Sequence, residues 1–254
     1  MQNRKEFKVD KLTVKLSDTR AEMGALAAAE IYATIRTLLA EREEINMIFA
    51  AAPSQNEVLA SLLTYPDIPW ERINAFHMDE YIGLPKTAPQ RFGNFLADHI
   101  FNHAPFRSVN YIDSSAEAED ECRRYTDLLK KYPTDIVVMG IGENGHIAFN
   151  DPGVADFNDP ATIKLAKLDD VCRMQQVHDG CFSSIDEVPT HAFTLTCPTL
   201  VRATFKFCIV PATTKAAAVR RTLTGEVSDE CPATLLRTVE GAVMYLDNDS
   251  ASLL

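Results

Sequence analysis

The sequence lacks the marks of several large protein classes. Its six cysteines, at 122, 172, 181, 197, 208 and 231, form no Cys-x-x-Cys pair and no Cys/His spacing typical of zinc sites. They read as reduced, small buried hydrophobes of a cytoplasmic protein. No basic stripe is present, and 25 Lys+Arg against 36 Asp+Glu leaves a formal charge of −11. That balance opposes nonspecific attraction to nucleic acid or anionic lipid, so an anionic ligand must be met by local groups. The opening Met1-Gln-Asn-Arg-Lys-Glu-Phe-Lys carries no apolar stretch of the kind a secretory signal needs. The most apolar long window, Met23 to Ala40, contains Glu30 and Arg36, and no segment reaches the roughly 18 uncharged apolar residues of a membrane span. Repeats, low-complexity tracts and linker-like composition shifts are also missing.

What is present fits one globular domain over residues 1–254: 46% hydrophobic and 24% charged residues in a chain long enough to need no disulfide or metal staple. Short runs rich in Ile, Val and Phe alternate with helical patterns. This predicts an α/β fold, a Rossmann-like domain whose mostly parallel twisted sheet has helices on both faces. An edge strand is expected at Lys11 to Leu16. A helix follows, capped by Ser17/Asp18, with Met23, Ala27, Ile31, Ile35 and Leu38 at three- to four-residue spacing. Further strands are expected at Met47–Ala52, Ile73–Met78, Ile136–Met139, Ala192–Thr196, Phe205–Val210 and Ala242–Leu246, enough for one sheet. Helices are expected at Glu57–Leu63, Arg91–His99, Ala116–Lys131 and Lys215–Leu223. The stretch from Asn150 to about Pro160 is too broken by Pro152, Gly153 and Pro160 for regular structure and reads as a functional loop or lid.

In a doubly wound sheet ligands bind beyond the carboxyl ends of the strands, and four such ends carry unusual residues. In Pro53-Ser54-Gln55-Asn56-Glu57, Ser54 and Glu57 have the spacing of a capping box, while the small-residue approach to a helix start also suits a phosphate cradle. In Pro211-Ala-Thr-Thr-Lys215 a lysine in the first helical turn opposes the macrodipole unless an anion lies between them; the alternative is a solvated side chain. Asp79 and Glu80 follow an apolar strand, so one must face differently from the other. Each is open to a role as general base, helix cap or surface ion pair. Finally, Gly140-Ile-Gly142-Glu143-Asn144-Gly145 matches the dinucleotide fingerprint, with Asp169 a plausible distance downstream. The fingerprint needs a helix to open at the glycines, and the proline-broken segment after His146 does not allow three turns. The loop instead presents His146 flanked by Asn144 and Asp151, polar groups able to fix its tautomer.

Two segments carry a specific resemblance. Met78-Asp79-Glu80-Tyr81-Ile-Gly83-Leu84-Pro85 and Gly142-x-Asn144-Gly145-His146-Ile-Ala-Phe149-Asn150-Asp151-Pro152 resemble the glucosamine-6-phosphate deaminase/isomerase family. The similarity extends from about Asn46 to Leu246 and includes Val188-Pro189, Lys215 and Cys231-Pro232-Ala233. The resemblance implies conversion of glucosamine 6-phosphate and water to fructose 6-phosphate and ammonia, with no metal and no organic cofactor. It makes Asp79 the base that moves a proton between C2 and C1 and His146 the ring-opening group, with Asn144 and Asp151 in its orienting positions. Ser54, Gln55 and Lys215 fall where the family holds the substrate phosphate, and Glu80, the neighbour of the base in its motif, is expected among the substrate-binding residues.

Departures from the family pattern are also visible. Asp151 stands where many members have glutamate, one methylene longer, so contact with His146 is expected to require a loop shift. Asn144 stands where some members have aspartate, and Glu143 beside it is expected to point away. A phosphate-binding arginine of some members lies in the region that here reads Gln175-Gln176-Val177-His178-Asp179-Gly180. The serine pair and arginine of regulated members are absent from Gly153 to Thr162, which predicts no activation by an N-acetylated sugar phosphate. A galactosamine-6-phosphate enzyme, a 6-phosphogluconolactonase-like hydrolase and a non-catalytic sugar-phosphate sensor are the competing readings. The preferred epimer at C4, and whether the chain is a monomer or a homo-oligomer, are not legible in the sequence.

Overall fold

The structure, a computed structural model, describes residues 5–254. Eleven strands are present among them: β1 (Lys5–Val9), β2 (Leu12–Leu16), β3 (Ile45–Phe49), β4 (Ile73–His77), β5 (Asp79–Tyr81), β6 (Ser108–Asn110), β7 (Ile136–Met139), β8 (Ile163–Lys167), β9 (His191–Leu195), β10 (Phe205–Val210) and β11 (Ala242–Leu246). Eight of them form one sheet in the order β1-β2-β11-β10-β7-β3-β4-β6, parallel throughout except for the antiparallel β1/β2 pair at one edge. Seven helices accompany the strands: α1 (Arg20–Glu41), α2 (Asn56–Leu62), α3 (Phe92–Leu96), α4 (Ala118–Lys131), α5 (Asp170–His178), α6 (Cys197–Val201) and α7 (Ala216–Thr224).

The central strands are buried along nearly their whole length and mostly apolar because both faces are covered, with Asn46, Asn74 and Lys206 as polar exceptions near the starts of β3, β4 and β10. In β3, Met47 and Phe49 join the core beneath α1 and α2, while Ile48 joins the core with Tyr125 and Leu129 of α4 and Val219 of α7. Residues of β7 and β10 alternate between the same two cores, as a two-residue strand period requires. The result is a helix–sheet–helix architecture of the Rossmann-like kind. By length and composition α1 is apolar enough to cross a membrane. Here Met23, Ala27, Ile31 and Ile35 are spent on the sheet, with no exposed surface.

Several expectations need correction. The cap of α1 is Thr19, whose hydroxyl accepts from Glu22 N while Glu22 returns a bond to Thr19 N, a full capping box one residue beyond Ser17/Asp18. The strand at Lys11–Leu16 is not at the edge, because β1 lies outside it. The run Ala192–Thr196 does not join the main sheet: β9 is the centre of a second, antiparallel sheet, β5-β9-β8. Its pairing, not its composition, decides this. The apolar run at Ile73–Met78 ends at His77, and the chain then passes into β5 of that second sheet. Between Asn150 and Pro160 the backbone forms turns with no helix or strand.

The chain runs outward from β3 to β4 and β6, then returns to β7 on the other side of β3 and continues to β10 and β11. This reversal between β3 and β7 opens a crevice at the carboxyl ends of β10, β7, β3 and β4.

Candidate active site

One cavity at those strand ends is lined by Ser54 and Gln55 after β3, Asp79 after β4, His146 after β7 and Lys215 after β10. Five residues singled out in the sequence therefore meet in one place. Asn144 and Asp151 stand behind His146, and Glu80 is outside the cavity.

The glycine loop explains how His146 arrives there. A Cβ on Gly142 would sit 2.1 Å from the His146 ring, so the absence of a side chain creates the space the imidazole fills. Gly145 has φ +86°, where L side chains are strained, and its carbonyl accepts from Ala233 N at 2.8 Å. The loop thus bends back on itself, with no helix opening at the glycines, and the dinucleotide reading fails for that reason. His146 Nδ1 lies 2.8 Å from Asn144 Oδ1 and 2.9 Å from Asp151 Oδ1, and Asn144 Nδ2 donates to the same Asp151 oxygen at 2.9 Å. Asp151 therefore reaches the imidazole despite its shorter side chain. Burial alone would raise the Asp151 carboxyl. Bonds and charge from His146, then bonds from Asn144 and the Cys172 thiol, outweigh it and hold the group below its ordinary range. Glu143 faces elsewhere, 3.5 Å from His178 Nδ1.

Asp79 and Glu80 are successive residues of β5 and point to opposite sides. The Asp79 carboxyl lines the cavity with no hydrogen bond among the described residues. Burial first, and the neighbouring Glu80 charge second, push it well above the usual carboxylate range. Glu80, expected at the substrate, turns away: its oxygens accept from Tyr81 N, Phe92 N and Gly93 N at 3.0, 3.1 and 3.0 Å, and Arg91 lies 3.7 Å away. It ties the start of α3 to β5 and cannot reach a ligand in the cavity. His77 fixes the Asp79 backbone: its Nδ1 donates to Asp79 O at 2.8 Å while Nε2 accepts from Ile112 N at 2.9 Å. Burial lowers the His77 imidazole to about 4, which keeps it neutral in this bridge.

At the other end, Lys215 is 6% exposed, and its ammonium has no hydrogen bond or ion pair among the described residues. Burial lowers its pKa, against the raising influence of Asp179 and Glu143. A cation taken out of water without a partner is costly unless a ligand anion completes it. The solvated alternative for Lys215 is excluded. Ahead of it Ala212 has φ 80° and ψ 150°, a region almost reserved for glycine, and its N–H is held by Asp247. Across the cavity Gln55 is fully buried, donating to Ser54 Oγ at 3.0 Å.

The expected Ser54/Glu57 capping box does not form. Glu57 instead accepts from Arg20 Nε at 2.7 Å, and Arg20 Nη2 donates to Pro53 O. Arg20 thereby lines the same cavity as Ser54, Gln55 and Lys215. Sequence reasoning missed it, because an arginine in the first turn of an amphipathic helix looks like ordinary solvated surface. The 175–180 segment, where an arginine was sought, brings Gln175, Gln176 and Asp179 to the rim. Cys172 on the same helix was also missed: its sulfur and the ligand atoms of His146 and Asp151 all lie within 4.8 Å of one another.

With this geometry established, comparison with known proteins is decisive. A sequence model of the family of glucosamine-6-phosphate isomerases and 6-phosphogluconolactonases matches residues 18–245. The chain belongs to this family. It is 31% identical over 244 residues to a glucosamine-6-phosphate deaminase of Bacillus cereus, covering 95% of this chain and 88% of that one. A glucosamine-6-phosphate deaminase of Listeria monocytogenes is 32% identical over 212 residues, or 83% of this chain and 88% of that one. Among solved structures, a monomeric glucosamine-6-phosphate deaminase superposes with a TM-score of 0.85 at 28% identity, over 95% of this chain and 99% of the other. A 6-phosphogluconolactonase of Thermotoga maritima shares the fold at 20% identity, with a TM-score of 0.74 over 93% of this chain and 100% of that one.

Proposed function

We propose that this chain converts glucosamine 6-phosphate and water into fructose 6-phosphate and ammonia, the whole chain acting as one domain. The observation that carries the reading is the unpartnered ammonium of Lys215 sharing one cavity with a buried carboxyl of raised proton affinity, Asp79, and an oriented imidazole, His146. The sugar phosphate docks with its phosphate on Lys215, Ser54, Gln55 and Arg20, where two cations and local polar groups overcome the net negative charge of the protein. His146 takes the proton of the C1 hydroxyl and returns one to the ring oxygen, opening the ring. Asp79, as carboxylate, removes the proton from C2 and delivers it to C1. Its raised proton affinity makes it a stronger base near neutral pH. The resulting imine at C2 adds water and expels ammonia, so the atoms balance with no change of redox state. A phosphorylated substrate and six unpaired cysteines support a cytoplasmic setting for this activity.

A coupled ammonia assay on glucosamine, galactosamine and mannosamine 6-phosphates, with wild type and Asp79→Asn, tests the reading. Ammonia release from the glucosamine compound by wild type, abolished in the variant, is the expected result. No turnover of any of the three sinks it. A preference for the galactosamine compound would move the assignment to the C4 epimer.

A further inference from the structure

Behind the imidazole lies a buried group that the reaction above does not use. Asp151 is fully buried; its Oδ1 takes Asn144 Nδ2 and His146 Nδ1, each at 2.9 Å, while Oδ2 has no hydrogen-bond partner among the described residues. A carboxylate oxygen left bare in a protein interior is costly. The group beside this carboxylate is the thiol of Cys172, which is 1% exposed and whose sulfur lies within 4.8 Å of the ligand atoms of Asp151 and His146, where its S–H can turn toward the bare oxygen. Cys172 does not reach this position by chance of packing alone: its N–H donates to Asp169 Oδ1 at 2.6 Å, the N-cap of α5, which fixes the first turn of that helix.

We infer that Cys172 is a positioning residue, its S–H holding the Asp151 carboxylate in the rotation at which that carboxylate fixes the His146 imidazole. The inference rests on the reading of His146 as the ring-opening group. Burial first, then the charges of Asp151, Asp169 and Asp79, push the thiol well above its usual range, so it stays protonated and remains a donor at neutral pH. With Nδ1–H committed to Asp151 and Asn144, Nε2 is left free of its proton and able to accept one from a sugar hydroxyl. Cys172 also shares α5 with Gln175 and Gln176, so one short helix sets both the rim of the cavity and the aim of its imidazole. Partners of this outer kind typically matter by 10–100-fold when removed.

The test compares Cys172→Ala and Cys172→Ser by two readouts. In ligand-free protein, 15N NMR of His146 reports its tautomer whether or not any substrate is turned over. Wild type is expected to show one Nδ1–H tautomer, Cys172→Ala a mixture, and Cys172→Ser, which retains a donor, the wild-type state. In the ammonia assay Cys172→Ala is expected to lower kcat about tenfold with KM within twofold, and Cys172→Ser to recover most of it. A wild-type tautomer in Cys172→Ala overturns the inference, as does an equal kcat loss in both variants. Absence of turnover in wild type would remove the functional reading while the NMR result still decides the contact. Should Cys172→Ala fail to fold, the S–H stretching band of wild type, compared with Asp151→Asn, decides instead: a shift supports the contact and an unmoved band refutes it.

Discussion

The imidazole of His146 fills the space in which a side chain on Gly142 would begin, with a β-carbon there only 2.1 Å from the ring. Gly142→Ala must therefore swing the ring away from Asn144 and Asp151. Displacement of a reacting group by about 1 Å can cost roughly 100-fold in rate. We expect kcat of Gly142→Ala to fall by about that factor with KM little changed. Steady-state kinetics with a crystal structure of the variant would check it; wild-type kcat with an unmoved ring would refute it.

Asp79 sets activity against stability. Its folded-state pKa is raised, so its favourable contribution is complete below the unfolded value of 3.8 and is lost as pH rises through the folded value. At neutral pH the charged form is a burden beside Glu80. Asp79→Asn is expected to reduce turnover at least about 100-fold while raising the melting temperature at pH 7, with the gain vanishing near pH 4. A variant less stable than wild type at pH 7 would contradict this account.

Lys215 and Arg20 are expected to act on binding more than on chemistry. Replacing either by glutamine should raise KM at least about tenfold, a factor equal to about 1.4 kcal/mol, with a smaller change in kcat. Inorganic phosphate should stabilise wild type by about 2.7 kcal/mol at 100 times its dissociation constant, and Lys215→Gln much less. Equal stabilisation of both proteins by phosphate would remove Lys215 from the anion site.

His77 gives the fold a dependence on acidity. Its imidazole titrates near 6.5 when unfolded and at about 4 when folded, so the unfolded chain binds the extra proton between those values. Stability present above pH 6.5 is lost as pH falls toward 4, by about 3 kcal/mol for this group. Asp79 and Glu80 titrate in the opposite sense, so the measurement is a difference: urea unfolding of wild type and His77→Gln at pH 7 and pH 4. The variant should lose less stability on acidification. Identical losses would count against the bridge.

Much of this site was legible before any coordinates. β3, β7 and β10 are mostly apolar on both faces, which no other environment explains as simply, and their carboxyl ends are where Ser54, His146 and Lys215 stood in the sequence. The rest depended on relations that one-dimensional pattern does not carry. That Asp79 and Glu80 diverge follows from strand alternation, yet which of them faces the cavity is decided by the pairing of β5 with β9. Ile163-Lys-Leu-Ala-Lys167 was not picked out as a strand, because its two lysines interrupt the apolar run and only Ile163 and Ala166 are buried. Arg20 and Cys172 gave no signal, since their roles arise from Glu57 and Asp151, distant in the chain and adjacent in space.

Asp79 pairs across to Thr194, and Leu16 in β2 lies beside Leu246 in β11. During synthesis the carboxyl group cannot be seated until more than a hundred further residues have left the ribosome. β2 waits longer still for its parallel neighbour. A nascent chain stalled short of β9 would present the Ser54/Gln55 loop with the base unseated and Lys215 not yet made, and maturation of this enzyme is therefore a late event in its own translation.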